Sequence, residues 1–307
     1  MGRRTGFKPF ALKQGDGIAL IAPASTFPAE AVEALRRTLE SEGYRPLPGV
    51  HLASAHRYLS GRDHQRAEDL LRAFRDPSVK AVFCLRGGYG SSRILSRIPF
   101  SRLGTEPKLF LGYSDITFLH ASLWAGSGWI TFHGPNGLDL VEDDQALREV
   151  FEALSGAASF SRPIDPEMVV RPGRATGILL GGNLTCLTHL VGTPFCPDVS
   201  GCLLFLEDRA EASYRIDRML NHLRLAGLWE HLSGLLLGRF ADCCPADELR
   251  SIVLESVQGY AFPVVAGLPF GHGKPNPVLP LGLPFSLNTH DGTLEPLETP
   301  FRDSDAC

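Results

Sequence analysis

The chain has 307 residues, of which 44% are hydrophobic and 21% charged, with 32 glycines, 23 prolines and a formal net charge of −4. At roughly 100–200 residues per domain this length predicts two domains, with one large α/β unit as the alternative, and the apolar fraction excludes disorder, collagen and coiled coil. The slightly acidic balance offers no basic face to nucleic acid or to a membrane surface.

Residues 17–23 form a short apolar run bounded by turn formers, as a buried strand does, and residues 29–42 follow with helical periodicity up to Gly43. The alternation continues with a helix over 63–74, a strand over 79–85 that ends at Gly87-Gly88, and a helix over 91–98. A strand over 108–113 then leads into a helix over 116–124. Alternating strands and helices imply parallel pairing with right-handed crossovers. Residues 155–173 lack apolar periodicity and read as a boundary. Beyond it the spacing predicts strands over 176–180, 202–206, 235–239 and 263–268, with helices over 214–225 and 247–257. The Pro- and Gly-rich stretch 275–300 predicts short antiparallel pieces. The expected fold class is α/β in two domains: an N-terminal open, mostly parallel sheet flanked by helices (1–155), a linker (156–173), and a C-terminal α/β domain of mixed short strands (174–307).

No apolar run approaches the roughly 20 residues that cross a bilayer, and the N-terminal residues lack the apolar stretch of a secretion signal. The expected location is cytoplasmic. The cysteines at 84, 186, 196, 202, 243, 244 and 307 are odd in number and form no CxxC pair, so reduced thiols are expected and no structural metal or other cofactor. The adjacent pair Cys243 and Cys244 receives no role.

In open α/β sheets ligands lie beyond the carboxyl ends of strands, and four such places carry chemistry. Gly112-Tyr113-Ser114-Asp115 puts a serine on a strand-to-helix turn, where a helix N-terminus supplies N–H groups for an oxyanion. It resembles a nucleophile elbow without the second glycine, and a helix cap explains it as well. Arg86-Gly87-Gly88-Tyr89-Gly90 lets backbone amides approach a ligand, as either half of an oxyanion hole or an ordinary tight turn. Glu207 and Asp208 emerge where a buried strand ends, a costly place for a carboxylate without a partner. His272 lies between two glycines on a loop, with an unperturbed pKa near 6.5 that suits a general base. Ser114, Glu207 and His272 follow the chain order of one class of triad hydrolases.

Taken with Leu12-Lys-Gln-Gly-Asp16, Ile21-Ala-Pro-Ala-Ser25, His133-Gly-Pro135 and Gly181-Gly-Asn183, these segments resemble the LD-carboxypeptidase family from about Lys8 to about Leu297. The resemblance implies a homodimeric two-domain serine peptidase, with Ser114 as nucleophile, His272 as general base and Glu207 as the residue orienting it. It further implies backbone N–H groups of Gly88 and Asp115 as the oxyanion hole. The reaction so implied is removal of the terminal D-alanine from a muropeptide tetrapeptide in cell-wall recycling. A carboxypeptidase must also recognise a terminal carboxylate, for which Arg86 and Arg93 are candidates. Asn183 is either a substrate contact or the cap of the helix that follows it.

Two other readings compete. A microcin-immunity type peptidase, acting on peptide- or aminoacyl-nucleotides, would want an enlarged loop between nucleophile and acid with an aromatic to stack on the base. Trp124 and Trp129 fall in that stretch and are expected in the core. A non-catalytic two-domain binding protein would not require Ser114, Glu207 and His272 to meet.

Overall fold

The structure, a computed structural model, describes residues 6–303. In chain order its strands are β1 (Gly17–Ile21), β2 (Arg45–Pro48), β3 (Val79–Cys84), β4 (Leu109–Gly112), β5 (Thr131–His133), β6 (Arg162–Pro163) and β7 (Val169–Arg171). They continue with β8 (Arg174–Asn183), β9 (Cys202–Arg209), β10 (Gly234–Ala241), β11 (Val264–Ala266), β12 (Leu279–Leu281), β13 (Pro284–Asn288) and β14 (Thr293–Pro296). One sheet has the order β12-β5-β4-β3-β1-β2, parallel except where β12 joins β5. The other has the order β6-β14-β13-β8-β9-β10-β11-β7, with a parallel centre (β8 to β11) and antiparallel flanks. The fold is thus two-sheet α/β, as the alternation in the sequence predicts.

Covering helices obey their periodicity. In Ala29–Ser41 the buried residues are Leu35 and Leu39, one turn apart, and in Asp63–Arg75 the buried side includes Ala67, Leu70 and Phe74. Helix Thr117–Ser127 is different, since Thr117 through Trp124 are all buried. It packs against β8 and against helix Leu184–Leu190, between the two sheets, and so has no wet face to leave a pattern. The helix predicted over 91–98 is a 3₁₀ helix over 91–97.

Sheet membership does not follow a single cut of the chain. Residues 156–173, expected as a linker, supply β6 and β7, which close the two edges of the second sheet. β12, from the C-terminal part, crosses back to the edge of the first. β9 runs to Arg209, so Glu207 and Asp208 lie within a strand and alternate faces, where the sequence predicts an end at 206.

His120, on the buried helix, bonds the Thr131 hydroxyl through Nδ1 and the Gly112 carbonyl through Nε2, both at 2.8 Å. It thereby ties the last residue of β4 to the first of β5. Burial pushes its pKa down to about 4. A histidine held neutral in the fold but protonated when unfolded stabilises fully above its unfolded value near 6.5, and that stability is lost as pH falls toward 4. A depression of that size corresponds to about 3 kcal/mol. Thermal melts of the wild type are therefore expected to drop between pH 6.5 and 4, and His120→Gln to flatten that part of the profile.

Candidate active site

Ser114 follows β4 directly. Tyr113 is extended, and Ser114 then takes φ +65° before the chain turns through the 3₁₀ segment Ser114–Ile116 into the buried helix. A left-handed serine costs on the order of 1 kcal/mol and lifts its hydroxyl clear of the turn. The strain is held on several sides. The Asn136 side chain accepts from the Tyr113 N–H (3.3 Å), and the Cys186 thiol donates to the Ser114 carbonyl (3.8 Å). Burial pushes that thiol well above its ordinary pKa, leaving it a protonated spacer.

The acid comes from the other sheet. Glu207, fully buried on β9, is aligned in register with Asn183 at the end of β8. Its Oε2 accepts from both the backbone N–H (3.2 Å) and Nδ1 (2.7 Å) of His272, and its Oε1 from the Asn183 amide (3.3 Å). With Nδ1 donating, Nε2 is left as the acceptor and stands 3.2 Å from Ser114 Oγ. Serine, histidine and glutamate thus form one hydrogen-bonded chain across the two sheets. The nucleophile's helix is moored to the same strands, because Thr117 Oγ1 accepts from the Asn183 N–H at 2.9 Å.

Asn183 accepts from the Cys186 N–H, so it caps the following helix, while its amide donates to Glu207 and to Asp208 (2.9 Å). Asp208, on the opposite face of β9, accepts from Thr185 N–H (2.9 Å), Thr185 Oγ (2.8 Å) and Arg209 N–H (2.8 Å) as well. Both side chains are committed to holding the acid strand against helix Leu184–Leu190.

The glycine loop after β3 arrives beside the serine. A methyl group at Gly87 would sit 2.8 Å from Ser114 Cβ, so only glycine permits that approach. Gly88 and Asp115 both belong to the walls of the cleft that holds Ser114. Ser25 pins the loop, accepting from the Tyr89 N–H at 3.0 Å while its own N–H donates to the Gly87 carbonyl at 3.3 Å.

Arg66 gives no sign of this role in the sequence. It is 2% exposed, and its guanidinium donates to the carbonyls of Pro23 and Gly90 (2.8 Å to the latter) and to Asp63. Asp63 in turn holds Arg93 at 2.8 and 2.9 Å. Arg66 thus stitches the glycine loop to the end of β1. Arg66→Ala is expected to destabilise by about 1–3 kcal/mol, since it leaves the Pro23 carbonyl without its donor, while Asp63 keeps Arg93 and the Gly90 carbonyl keeps the Arg93 N–H. It should also lower kcat more than it raises KM, read by calorimetry and steady-state kinetics.

Arg86 and Arg93, the candidates for a carboxylate, lie outside the cleft lining. Arg86 donates to the Thr26 carbonyl (2.9 Å) and Arg93 is held by Asp63. The cleft, of about 640 Å³, is walled by Ser114, His272, Thr185, Cys186, Arg209 and Glu211 among others. Tyr113 backs the histidine, with ring centroids 5.0 Å apart, and burial together with the charges of Asp139 and Glu207 drives its hydroxyl well above the ordinary tyrosine range. Among the described residues no group of three or more His, Cys, Asp or Glu is arranged to hold a metal ion, and no helix is long and apolar enough to cross a membrane. The six described cysteines are free thiols, and Cys307 lies outside the described residues.

Comparison with known proteins gives the family of the chain. Residues 18–134 match the LD-carboxypeptidase N-terminal domain and residues 176–287 the LD-carboxypeptidase C-terminal domain. A probable murein peptide carboxypeptidase of Bacillus subtilis is 39% identical over 299 residues, covering 94% of this chain and 93% of the relative. The murein tetrapeptide carboxypeptidase of Pseudomonas aeruginosa is 38% identical over 282 residues, covering 86% and 91%. A muramoyltetrapeptide carboxypeptidase from Oxalobacter formigenes superposes with TM-score 0.80 at 32% identity, over 91% of this chain and 97% of that one. The microcin C7 self-immunity protein MccF superposes with TM-score 0.86 over 96% and 100%, but at 22% identity, a likeness of fold alone. Two matched domain models and relatives at this level of identity make the chain a member of the LD-carboxypeptidase family.

Proposed function

We propose that the chain is a serine LD-carboxypeptidase that removes the terminal D-alanine from muropeptide tetrapeptide, acting in the cytoplasm as a homodimer in peptidoglycan recycling. The observation that carries the reading is the unbroken hydrogen-bond chain Ser114 Oγ, His272, Glu207, assembled from two sheets. In this mechanism His272 Nε2 takes the hydroxyl proton as Ser114 Oγ attacks the amide carbonyl. The N–H groups of Gly88 and Asp115 receive the charge that develops on the carbonyl oxygen. His272 then returns the proton to the departing amine of D-alanine. Water, activated by the same imidazole, frees the acyl group from the serine. Glu207 holds Nδ1–H throughout, so that Nε2 always faces the reaction.

Murein carboxypeptidases among the relatives support this substrate. For the nucleotide-conjugate reading, an aromatic between nucleophile and acid would have to be free to stack. Trp124 and Trp129 are buried, at 6% and 1% exposure, and the exposed aromatics Phe7, Phe10, Tyr58, Tyr89 and Tyr214 all fall outside that stretch. A non-catalytic binding protein would have no reason to hold a serine in a strained conformation against an oriented imidazole. The test is mass spectrometry of tetrapeptide incubated with the wild type and with Ser114→Ala. Release of D-alanine by the wild type alone is expected, and release by neither or by both, with folded protein, would overturn the proposal.

A further inference from the structure

We infer that Arg209 is the receptor for the terminal carboxylate of the substrate, an assignment that rests on the carboxypeptidase reading. The carboxylate lies two bonds from the nitrogen that His272 must protonate, so its receptor has to stand on the histidine's side of the cleft. Arg209 does so: it is two residues beyond Glu207 on β9, and the period of a strand puts it on the same face as the acid. Its charge is felt at the Tyr113 hydroxyl, which it pulls down against the larger effects of burial and nearby carboxylates. Tyr113 in turn packs on the His272 ring.

The other lining groups leave no rival. Among the described residues that line the cleft, Arg209 carries the only guanidinium or ammonium. His189 has its Nδ1 engaged by the Thr185 carbonyl at 2.6 Å. The remaining charged walls, Asp115, Asp208 and Glu211, would repel a carboxylate. The guanidinium is also available. Among the described residues its ion pair joins Nε to Asp242 at 3.3 Å with both side chains more than half exposed, and such a contact holds weakly against a bidentate ligand. Ala210, at φ +57°, turns the chain immediately afterwards, and its N–H bonds the Ala241 carbonyl at 2.8 Å. The arginine therefore springs from a fixed strand end with a movable head.

The experiment compares tetrapeptide ending in D-alanine with the same peptide ending in D-alaninamide. The wild type is expected to prefer the acid, and Arg209→Ala to lose roughly 10–100-fold in kcat/KM on the acid, chiefly through KM, with the amide unchanged. Arg209→Lys should fall between them. The same pair is titrated calorimetrically into Ser114→Ala and Ser114→Ala/Arg209→Ala, a readout independent of turnover. If no protein hydrolyses either peptide yet binding of the acid still depends on Arg209, the hydrolase reading fails and the receptor stands. If the preference for the acid survives Arg209→Ala in both assays, the inference is overturned.

Discussion

With Ser114 replaced by alanine, kcat on the tetrapeptide is expected to fall by roughly 10⁶, and His272→Ala to fall as far, with no further loss in the double variant. Residues that act through one proton path fail together. Glu207→Gln is the more informative change, with an expected loss of about 10⁴. The carboxylate accepts at both oxygens, from two N–H groups of His272 on one side and from the Asn183 amide on the other. A glutamine has only one accepting atom, so one side must set donor against donor. Asn183 cannot turn over to help, because its oxygen caps Cys186 and its nitrogen also serves Asp208. The imidazole is thus expected to lose its orientation while the protein stays folded. Single-turnover kinetics beside circular dichroism checks this, and a Ser114→Ala protein keeping even a hundredth of the wild-type rate would remove the serine from the mechanism.

The second large effect is expected from a single methyl group. Gly271 has φ +96°, and a Cβ there would lie 2.5 Å from Glu207 Oε2 and 2.7 Å from its Cγ. Glu207 is fully buried and has nowhere to go. The loop must move instead, carrying His272 off the carboxylate, and a displacement of about 1 Å at a catalytic group costs roughly 10² or more in rate. Gly271→Ala is therefore expected to lose at least that factor in kcat. Gly192→Ala is the matched control, with φ +82° and, among the described residues, nothing within 4 Å of the added carbon. It bears only the backbone strain of about 1–2 kcal/mol and should keep full activity. Equal losses in the two variants would mean that backbone strain, not the collision with Glu207, governs the loop.

The contrast between these glycines shows what the sequence made legible. Strand ends followed by glycines located the loops, and chain order suggested which serine, acid and histidine belong together. Exposure and partners stayed hidden. Asn183 reads equally well as a substrate contact or a cap until the register of β8 on β9 sets it beside Glu207. Arg66 looks like one more charge on an amphipathic helix, because its partners are carbonyls 43 and 24 residues away. Arg86 and Arg93 attract notice by nearness to the glycines, whereas Arg209 ends a strand whose true length the apolar run does not disclose. Strands of three residues, such as β5 and β12, are too short to leave a periodic mark at all.

β12 has one more implication. The loop that carries His272 leaves β11 in the second sheet and enters β12 in the first, so it is roped at both ends to different bodies. Any rotation of one sheet against the other pulls on that rope and shifts the imidazole relative to Ser114. The angle between the halves and the reach of the base are then one mechanical variable.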